Sequence, residues 1–418
     1  MSVLRITGGR ALRGSVRVHG AKNSVLPIFA ACLVARGVTV IHNCPNIADV
    51  DAAMQILIHL GCKAERDGDT VTVDTSTMTN AEVPHSLMQE MRSSVIFLGS
   101  ILGRCGEASI STPGGCELGP RPIDMHLAAL RQLGAEITDN GGSLVCRANR
   151  LRGAKITLRS PSVGATENAI LAACFAEGTT VISNAAREPE ISDLQRYLRA
   201  LGITVLGAGT PTIVVEGRLV RVDTAHRVIP DRIVAVTYLC AAAATGGEIT
   251  LTDVNPAHFT TVTDALTNMG CAITRTGDSV TLSASGRLYA LEPVMTEPYP
   301  GFPTDAQAGL MAACLRAQGT TSFIENIFDN RYRHADEMRR FGANIKLEGR
   351  VALVTGVKSL KAAPVKSPDL RGGAALVIAA LSAEGTSEVS DIHHIDRGYD
   401  DLAGALTQLG AEIVRIDS

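Results

Sequence analysis

Apolar positions along the chain alternate between two spacings, and the alternation repeats. Alanine-rich apolar runs, Ser24–Ala35, Thr166–Ala176 and Ala306–Ala317, are expected as helices. Each leads to a glycine and a short β-branched run, as in Gly178-Thr179-Thr180-Val181-Ile182, which reads as a strand. An amphipathic run such as Ile191–Leu201 reads as a second helix. Two alternating strands close the unit, as in Ala343–Leu347 and Val351–Thr355 about the turn pair Glu348-Gly349.

The second helix of each unit ends on a recurring phrase: Leu60-Gly61-Cys62, Leu133-Gly134-Ala135, Leu201-Gly202-Ile203, Met269-Gly270-Cys271, Phe341-Gly342-Ala343 and Leu409-Gly410-Ala411. A glycine there suits a left-handed helix C-cap. The six glycines lie 68 to 73 residues apart, and a steady period of that size means one supersecondary unit used six times. The fold class expected is therefore α/β, two domains of three repeats each. The boundaries fall at 22–229 for repeats one to three and at 1–21 with 230–418 for repeats four to six, with Ile229-Pro230 as a crossing point. The first unit is expected to take a leading strand from Leu4–Thr7 or Ser15–His19. The N-terminal strands are also expected to pack with the second half and close it.

Composition narrows the function. A chain of 418 residues is too long for one core. Aromatic residues make up 3% and Trp is absent, which removes base-stacking platforms, and a net charge of −3 gives no polyanion-binding face. No nucleic-acid or membrane partner is expected. The start Met1-Ser2-Val3-Leu4-Arg5 does not read as a signal peptide, and no apolar run reaches the ~18 residues of a membrane span. The ten cysteines form no CxxC pair, so reduced thiols and a cytoplasmic location are expected, with no metal site. The pair His393-His394 lacks a ligand cluster. No phosphate-binding GxxxxGK[ST] or strand-anchored GxGxxG is present, so no nucleotide cofactor is expected.

Polar residues gather at equivalent places in the repeats. First-helix starts carry Lys22-Asn23, Arg92, Ser162-Val163-Gly164, Asp231-Arg232, Thr304-Asp305 and Asp369-Leu370-Arg371. Second-helix starts carry Asp49, Arg121 with Asp124, Arg187 with Glu188 and Glu190, Arg331 and Arg397. Ser, Thr and Asp there are ordinary N-caps. The cations are not, because Lys and Arg at a helix N-terminus oppose its macrodipole. With free backbone N–H groups they make an anion site, which points to a highly anionic small ligand. One further stretch, Ser111-Thr112-Pro113-Gly114-Gly115-Cys116-Glu117-Leu118-Gly119-Pro120-Arg121-Pro122, is too rich in glycine and proline for helix or central strand, and it carries a thiol at its middle.

The phrases Gly20-Ala21-Lys22-Asn23, Pro113-Gly114-Gly115-Cys116, Gly119-Pro120-Arg121-Pro122-Ile123-Asp124, Ser162-Val163-Gly164-Ala165-Thr166, Asn184-Ala185-Ala186-Arg187-Glu188-Pro189-Glu190, Phe302-Pro303-Thr304-Asp305 and His394-Ile395-Asp396-Arg397-Gly398-Tyr399 resemble the UDP-N-acetylglucosamine enolpyruvyl transferases, from Arg5 to the C-terminus. The sister shikimate-pathway transferases share the repeat plan without this cysteine loop. The resemblance implies two inside-out α/β barrel domains. It implies transfer of enolpyruvate from phosphoenolpyruvate to the 3′-hydroxyl of UDP-N-acetylglucosamine, with release of phosphate, at the first committed step of peptidoglycan synthesis.

That chemistry needs a proton at C3 of phosphoenolpyruvate while a hydroxyl adds at C2, and an unperturbed thiol of pKa about 8.5 stays mostly protonated at neutral pH. The resemblance puts Cys116 in the role of proton donor or adduct-forming nucleophile and makes it the target of fosfomycin. It makes Asp305 the base at the 3′-hydroxyl, or the group that orients that hydroxyl, with an N-cap on the helix from Ala306 as a further or alternative role. Lys22, Asn23, Arg92, Arg121 and Arg397, with Arg331 and Arg371 in the same cationic wall, would hold phosphoenolpyruvate. Asn23, Arg92, Arg121, Pro122, Ile123, Asp124, Met125, Ser162, Val163, Gly164, Asp305 and Ile327 would meet the sugar nucleotide. Asp49, Glu188, Asp231 and Asp369 read as partners of the cations. Some relatives carry a lysine two residues before the serine of the Ser-Val-Gly phrase, where this chain has Ser160, so that contact does not transfer. The competing readings are a silent paralogue that binds the sugar nucleotide, a shikimate-type transferase, and a thiol redox sensor.

Overall fold

The computed structural model describes residues 2–91, 93–111, 123–218 and 220–417. The chain forms two compact units. One runs from Gly20 to Ile229; the other combines the residues up to His19 with those from Pro230 onward.

Each unit is built from the same module. Among the described residues there are six four-stranded sheets, three in each unit. In every one an edge strand lies parallel to its neighbour and two antiparallel strands follow; in five of the six those two form a hairpin, and in the sixth they are Val3–Thr7 and Glu412–Ile416, from opposite ends of the chain. In the sheet of the fifth repeat, Val294–Met295 runs parallel to Thr320–Ile324, which pairs antiparallel with Val351–Thr355, which pairs in turn with Asn344–Glu348. The hairpin turn is Gly349-Arg350, one residue later than the expected Glu348-Gly349, because Glu348 still pairs with Val351; Gly349 has φ 56°.

The recurring glycines behave as expected. Gly61, Gly134, Gly202, Gly270, Gly342 and Gly410 all have φ between 87° and 105°, a conformation open to glycine and costly to a side chain. At the first of them Cys62 N–H donates to Leu57 C=O and Gly61 N–H to Ile58 C=O, the two bonds of a Schellman cap.

The first sheet departs from expectation. Its parallel edge strand is Thr224–Arg227, paired to Val38–His42, and neither Leu4–Thr7 nor Ser15–His19 takes part. Those N-terminal segments serve the other unit. Val3–Thr7 stands between Thr386–Ser390 and Glu412–Ile416, and Arg13–Arg17 lies parallel to Glu248–Thr252. The reason is topological. Each module borrows its parallel strand from the chain just before it in space, and in the first module that chain arrives from the third repeat.

The first helix of each repeat lies inside, and the sheets lie outside. The helix Leu370–Ser382 buries every residue from Arg371 to Ser382, and Arg232–Thr245 is buried from Arg232 to Ala243. A helix apolar on every side belongs in a core. The strands instead alternate buried with half-buried or exposed positions, so each sheet shows one face to solvent. The inner helices start earlier than their apolar runs suggest, at Lys22, Val163 and Thr304. Their polar residues are thus the first helical turn and not a preceding loop, which fixes where those side chains can point.

Candidate active site

One constellation lies in the unit from Gly20 to Ile229. Lys22 opens the helix Lys22–Cys32, whose N-cap residue Ala21 provides no side-chain cap. Its ammonium is nearly buried and sits 2.6 Å from Asp49 Oδ2, itself buried in the first turn of Ala48–His59. The carboxylate offsets the clash between a cation and the helix dipole. Asn23, beside it, is half-buried.

The same helix start is fastened from behind by a residue that no motif flagged. Ser24 Oγ donates to Asp193 Oδ2 at 2.5 Å, and Ile229 N–H donates to the same oxygen at 3.2 Å. His226 Nε2 lies 3.0 Å from Asp193 Oδ1. Burial works to raise the Asp193 carboxyl, but the bonds and charge of His226 and the Ser24 hydroxyl outweigh it and hold it below the usual range. In sequence Asp193 is one polar residue of an amphipathic helix, so nothing local marked it.

The expected sugar-nucleotide residues in this unit sit at two adjacent helix starts. Ser162 caps Val163–Ala173 by accepting from Ala165 N–H at 3.4 Å. Asp124 begins Asp124–Gln132, Ile123 precedes it, and Met125 Sδ accepts from Ser160 Oγ at 3.7 Å. Asp124 pairs at 2.5 Å with Arg159, so a cation stands one residue before the Ser160 position that lacked a lysine. Gly164 admits His126: a Cβ there would stand 3.1 Å from His126 Cε1. Asn168 donates to His126 Nδ1 at 3.1 Å, which leaves the proton on Nε2, and burial pushes the imidazole down to about 4. Behind this face Glu167 is buried, and burial followed by the charges of Glu190 and Glu188 raises its carboxyl well above the usual value.

The second constellation lies in the unit from Pro230 onward. Asp305 does not cap its helix; it is the second residue of Thr304–Cys314, and Pro303 precedes the helix without a side-chain cap. Arg331 Nη2 donates to Asp305 Oδ1 at 2.9 Å, and Arg371 Nε donates to Oδ2 at 3.2 Å. The two guanidinium groups are 3% and 4% exposed while the carboxylate is 28% exposed, so the cations lie beneath the acid and the acid faces outward. Arg371 also lies 5.5 Å above the Tyr399 ring, whose hydroxyl meets Thr237 Oγ1 at 2.8 Å. Arg397, half-buried, is two residues before Tyr399.

Three other acids in this unit have structural jobs. Asp231 caps Arg232–Thr245 through Ile233 N–H and Val234 N–H, and Asp369 caps Leu370–Ser382 through Arg371 N–H and Gly372 N–H. Glu325 accepts from Thr304 Oγ1 with one oxygen and from Ile327 N–H and Phe328 N–H with the other, which ties Ile327 to the start of the Asp305 helix.

Cys116, Arg92, Arg121 and Pro122 lie outside the described residues. Of the described cysteines, Cys105 alone is exposed; the rest are buried. Burial pushes the thiols of Cys32 and Cys146 up to about 11 and of Cys44, Cys62 and Cys314 up to about 12, which leaves them unreactive near neutrality. Among the described residues no helix is long and apolar enough to cross a membrane.

The chain as a whole is similar to known proteins. A family model described as EPSP synthase (3-phosphoshikimate 1-carboxyvinyltransferase) matches residues 6–406. The chain belongs to the enolpyruvyl transferase family. Within it, a protein from Caldanaerobacter subterraneus subsp. tengcongensis named UDP-N-acetylglucosamine 1-carboxyvinyltransferase 2 is 49% identical over 416 residues, covering 100% of both chains. A Symbiobacterium thermophilum protein named UDP-N-acetylglucosamine 1-carboxyvinyltransferase 1 is 50% identical, covering 98% of this chain and 94% of that one. Among solved enolpyruvyl transferases, NikO from Streptomyces tendae superposes with a TM-score of 0.90 at 28% identity over 100% of this chain and 99% of its own. EPSP synthase from Acinetobacter baumannii shares the fold at a TM-score of 0.76 and 21% identity, covering 100% of both. Two domains of three inside-out α/β modules are thus the family's architecture and this chain's.

Proposed function

We propose that this enolpyruvyl transferase moves the enolpyruvyl group of phosphoenolpyruvate to the 3′-hydroxyl of UDP-N-acetylglucosamine and releases phosphate, in the cytoplasm, at the entry to peptidoglycan synthesis. The names of the full-length relatives support the acceptor. The observation that carries the chemistry is the Asp305 carboxylate, solvent-facing yet fixed from below by Arg331 and Arg371.

In this reading the 3′-hydroxyl loses its proton to Asp305 as its oxygen bonds to C2 of phosphoenolpyruvate. Cys116 gives its thiol proton to C3, the double bond becomes single, and a tetrahedral intermediate carries sugar oxygen and phosphate on one carbon. Loss of a C3 proton then restores the double bond as the C2–O bond to phosphate breaks. A general acid and a base held in place contribute typically ~10²–10⁴-fold each to such a step. Lys22 supplies charge for the phosphate and carboxylate, and Asp49 keeps its ammonium aimed; Arg397, Arg92 and Arg121 add charge. Asn23, Ser162–Gly164, Asp124, Met125 and Ile327 meet the sugar nucleotide.

Phosphate release, measured with each substrate alone and with both, tests this. Release that needs both, vanishes in Cys116→Ala and partly survives in Cys116→Asp supports the transferase with Cys116 as acid. No release from the wild-type protein, with the sugar nucleotide still bound, overturns it.

A further inference from the structure

Beneath Asp305, several buried polar atoms have no hydrogen-bond partner: Arg331 Nε, both ring nitrogens of His334, Asp369 Oδ2 and Arg371 Nη1. Buried polar atoms are nearly always paired, so a group of them in one place calls for an explanation. They do share a place. His334 is 1% exposed in the first turn of Arg333–Arg340, three residues after Arg331. A Cβ at Gly372 would stand 3.1 Å from His334 Cβ and 3.0 Å from Asp369 Oδ2, so the base of the histidine side chain and the aspartate carboxylate flank the bare face of that glycine.

Their chemistry is complementary. Arg331 Nε and Arg371 Nη1 can only donate, and Asp369 Oδ2 can only accept. A neutral imidazole has one of each, whereas an imidazolium has donors alone. Burial first, and the Arg331 charge against it, push His334 down to about 4, although Asp369 and the Arg331 backbone pull the other way. The ring is therefore neutral at working pH and able to stand between a donor and an acceptor.

We propose that His334 is a positioning residue for Asp305: its neutral ring accepts from the Arg331 guanidinium and donates to Asp369, coupling the two arginines that grip the carboxylate. Arg331 holds Asp305 directly. Asp369 fixes the backbone N–H of Arg371, and Arg371 holds the other carboxylate oxygen. The donors and acceptors these bonds would use are the atoms of the cluster that have no other partner. His334 touches no substrate in this scheme, and its effect reaches the reaction only through the orientation of Asp305. The inference rests on Asp305 being the base.

The test compares His334→Leu, which keeps bulk without polarity, with His334→Gln, which restores one donor and one acceptor. With a misaligned base, His334→Leu is expected to lower kcat about tenfold or more while KM for both substrates stays within about twofold. His334→Gln is expected to recover most of the kcat. Ring ¹⁵N shifts of wild-type His334 at neutral pH should show a single neutral tautomer. Equal kcat in the two variants, or a wild-type ring that titrates in the ordinary range near 6.5, overturns the proposal. Asp305→Asn run in parallel separates the two readings: wild-type kcat there removes the base, while the ring shifts still report on His334.

Discussion

Arg371 reaches Asp305 with two nitrogens, Nε and Nη2, each 3.2 Å from Oδ2. Arg331 takes the other oxygen at 2.9 Å. The contact reverses a simple picture in which every cation of the cluster faces an anionic ligand. These two guanidinium groups are buried and face an acid of their own chain, so removing the acid leaves two buried charges without compensation. Asp305→Ala is therefore expected to lose about 3 kcal/mol of stability in urea denaturation, alongside its loss of phosphate release. Asp305→Asn, which keeps an acceptor oxygen, is expected to lose less stability and as much turnover. Equal denaturation midpoints for wild type and Asp305→Ala would show that the arginines find other partners.

Lys22 and Asp49 form the matching pair in the other unit, 2.6 Å apart with side chains 11% and 3% exposed. Coupling in such a pair is read from a double-mutant cycle. Lys22→Met removes the charge facing a buried carboxylate and is expected to cost about 3 kcal/mol, and adding Asp49→Leu is expected to return much of that loss, because two apolar side chains suit a buried site better than a carboxylate that has lost its ion pair. Turnover should stay lost in the double variant. Additive losses in stability would mean that the two charges do not depend on each other.

Much of this architecture was legible before any coordinates. The glycine period gave six modules because each copy needs a left-handed residue after its second helix, a local demand that sequence records. The capping role of Ser162, Asp231 and Asp369 was legible for the same reason. The edge strand Thr224–Arg227 was not, since its partner Val38–His42 lies far back along the chain and pairing across that distance leaves no local trace. Asp193 and His334 were hidden because each reads as one polar position in an amphipathic helix. Only the packed fold brings Asp193 to Ser24 and His334 to Asp369. The apolar runs alone begin late, at Ser24, Thr166 and Ala306, because the first turn of each helix is occupied by polar side chains, and it is those polar phrases that mark the true starts.

Gly164 offers a test of the sugar-nucleotide face. Its missing Cβ leaves room for the His126 ring, 3.1 Å from where that atom would be, and the ring is buried and held by Asn168. A ring so fixed cannot yield, so Gly164→Ala is expected to cost about 1 kcal/mol by overpacking. It should also weaken sugar-nucleotide binding in calorimetry, because the backbone must give way instead and the Ser162–Gly164 helix start shifts. His126→Ala in the same chain should restore stability by opening the space again; a double variant no more stable than Gly164→Ala would place the strain elsewhere.

Glu167 predicts a pH effect whose sign can be worked out. Burial, then the neighbouring Glu190 and Glu188 charges, raise its folded pKa well above the unfolded value. Below the unfolded value, both states hold the proton and the native protein keeps its full stability. Above it, the unfolded chain releases the proton while the folded chain retains it, so stability falls by about 1.4 kcal/mol for each pH unit until the folded carboxyl ionises. Glu167→Gln carries an uncharged group at every pH and lacks this slope, whatever constant difference the amide introduces. Urea denaturation of both proteins at pH 5 and pH 7 should therefore show the variant gaining on the wild type by a few kcal/mol as pH rises. Parallel curves would mean that Glu167 is already ionised in the folded protein at pH 5.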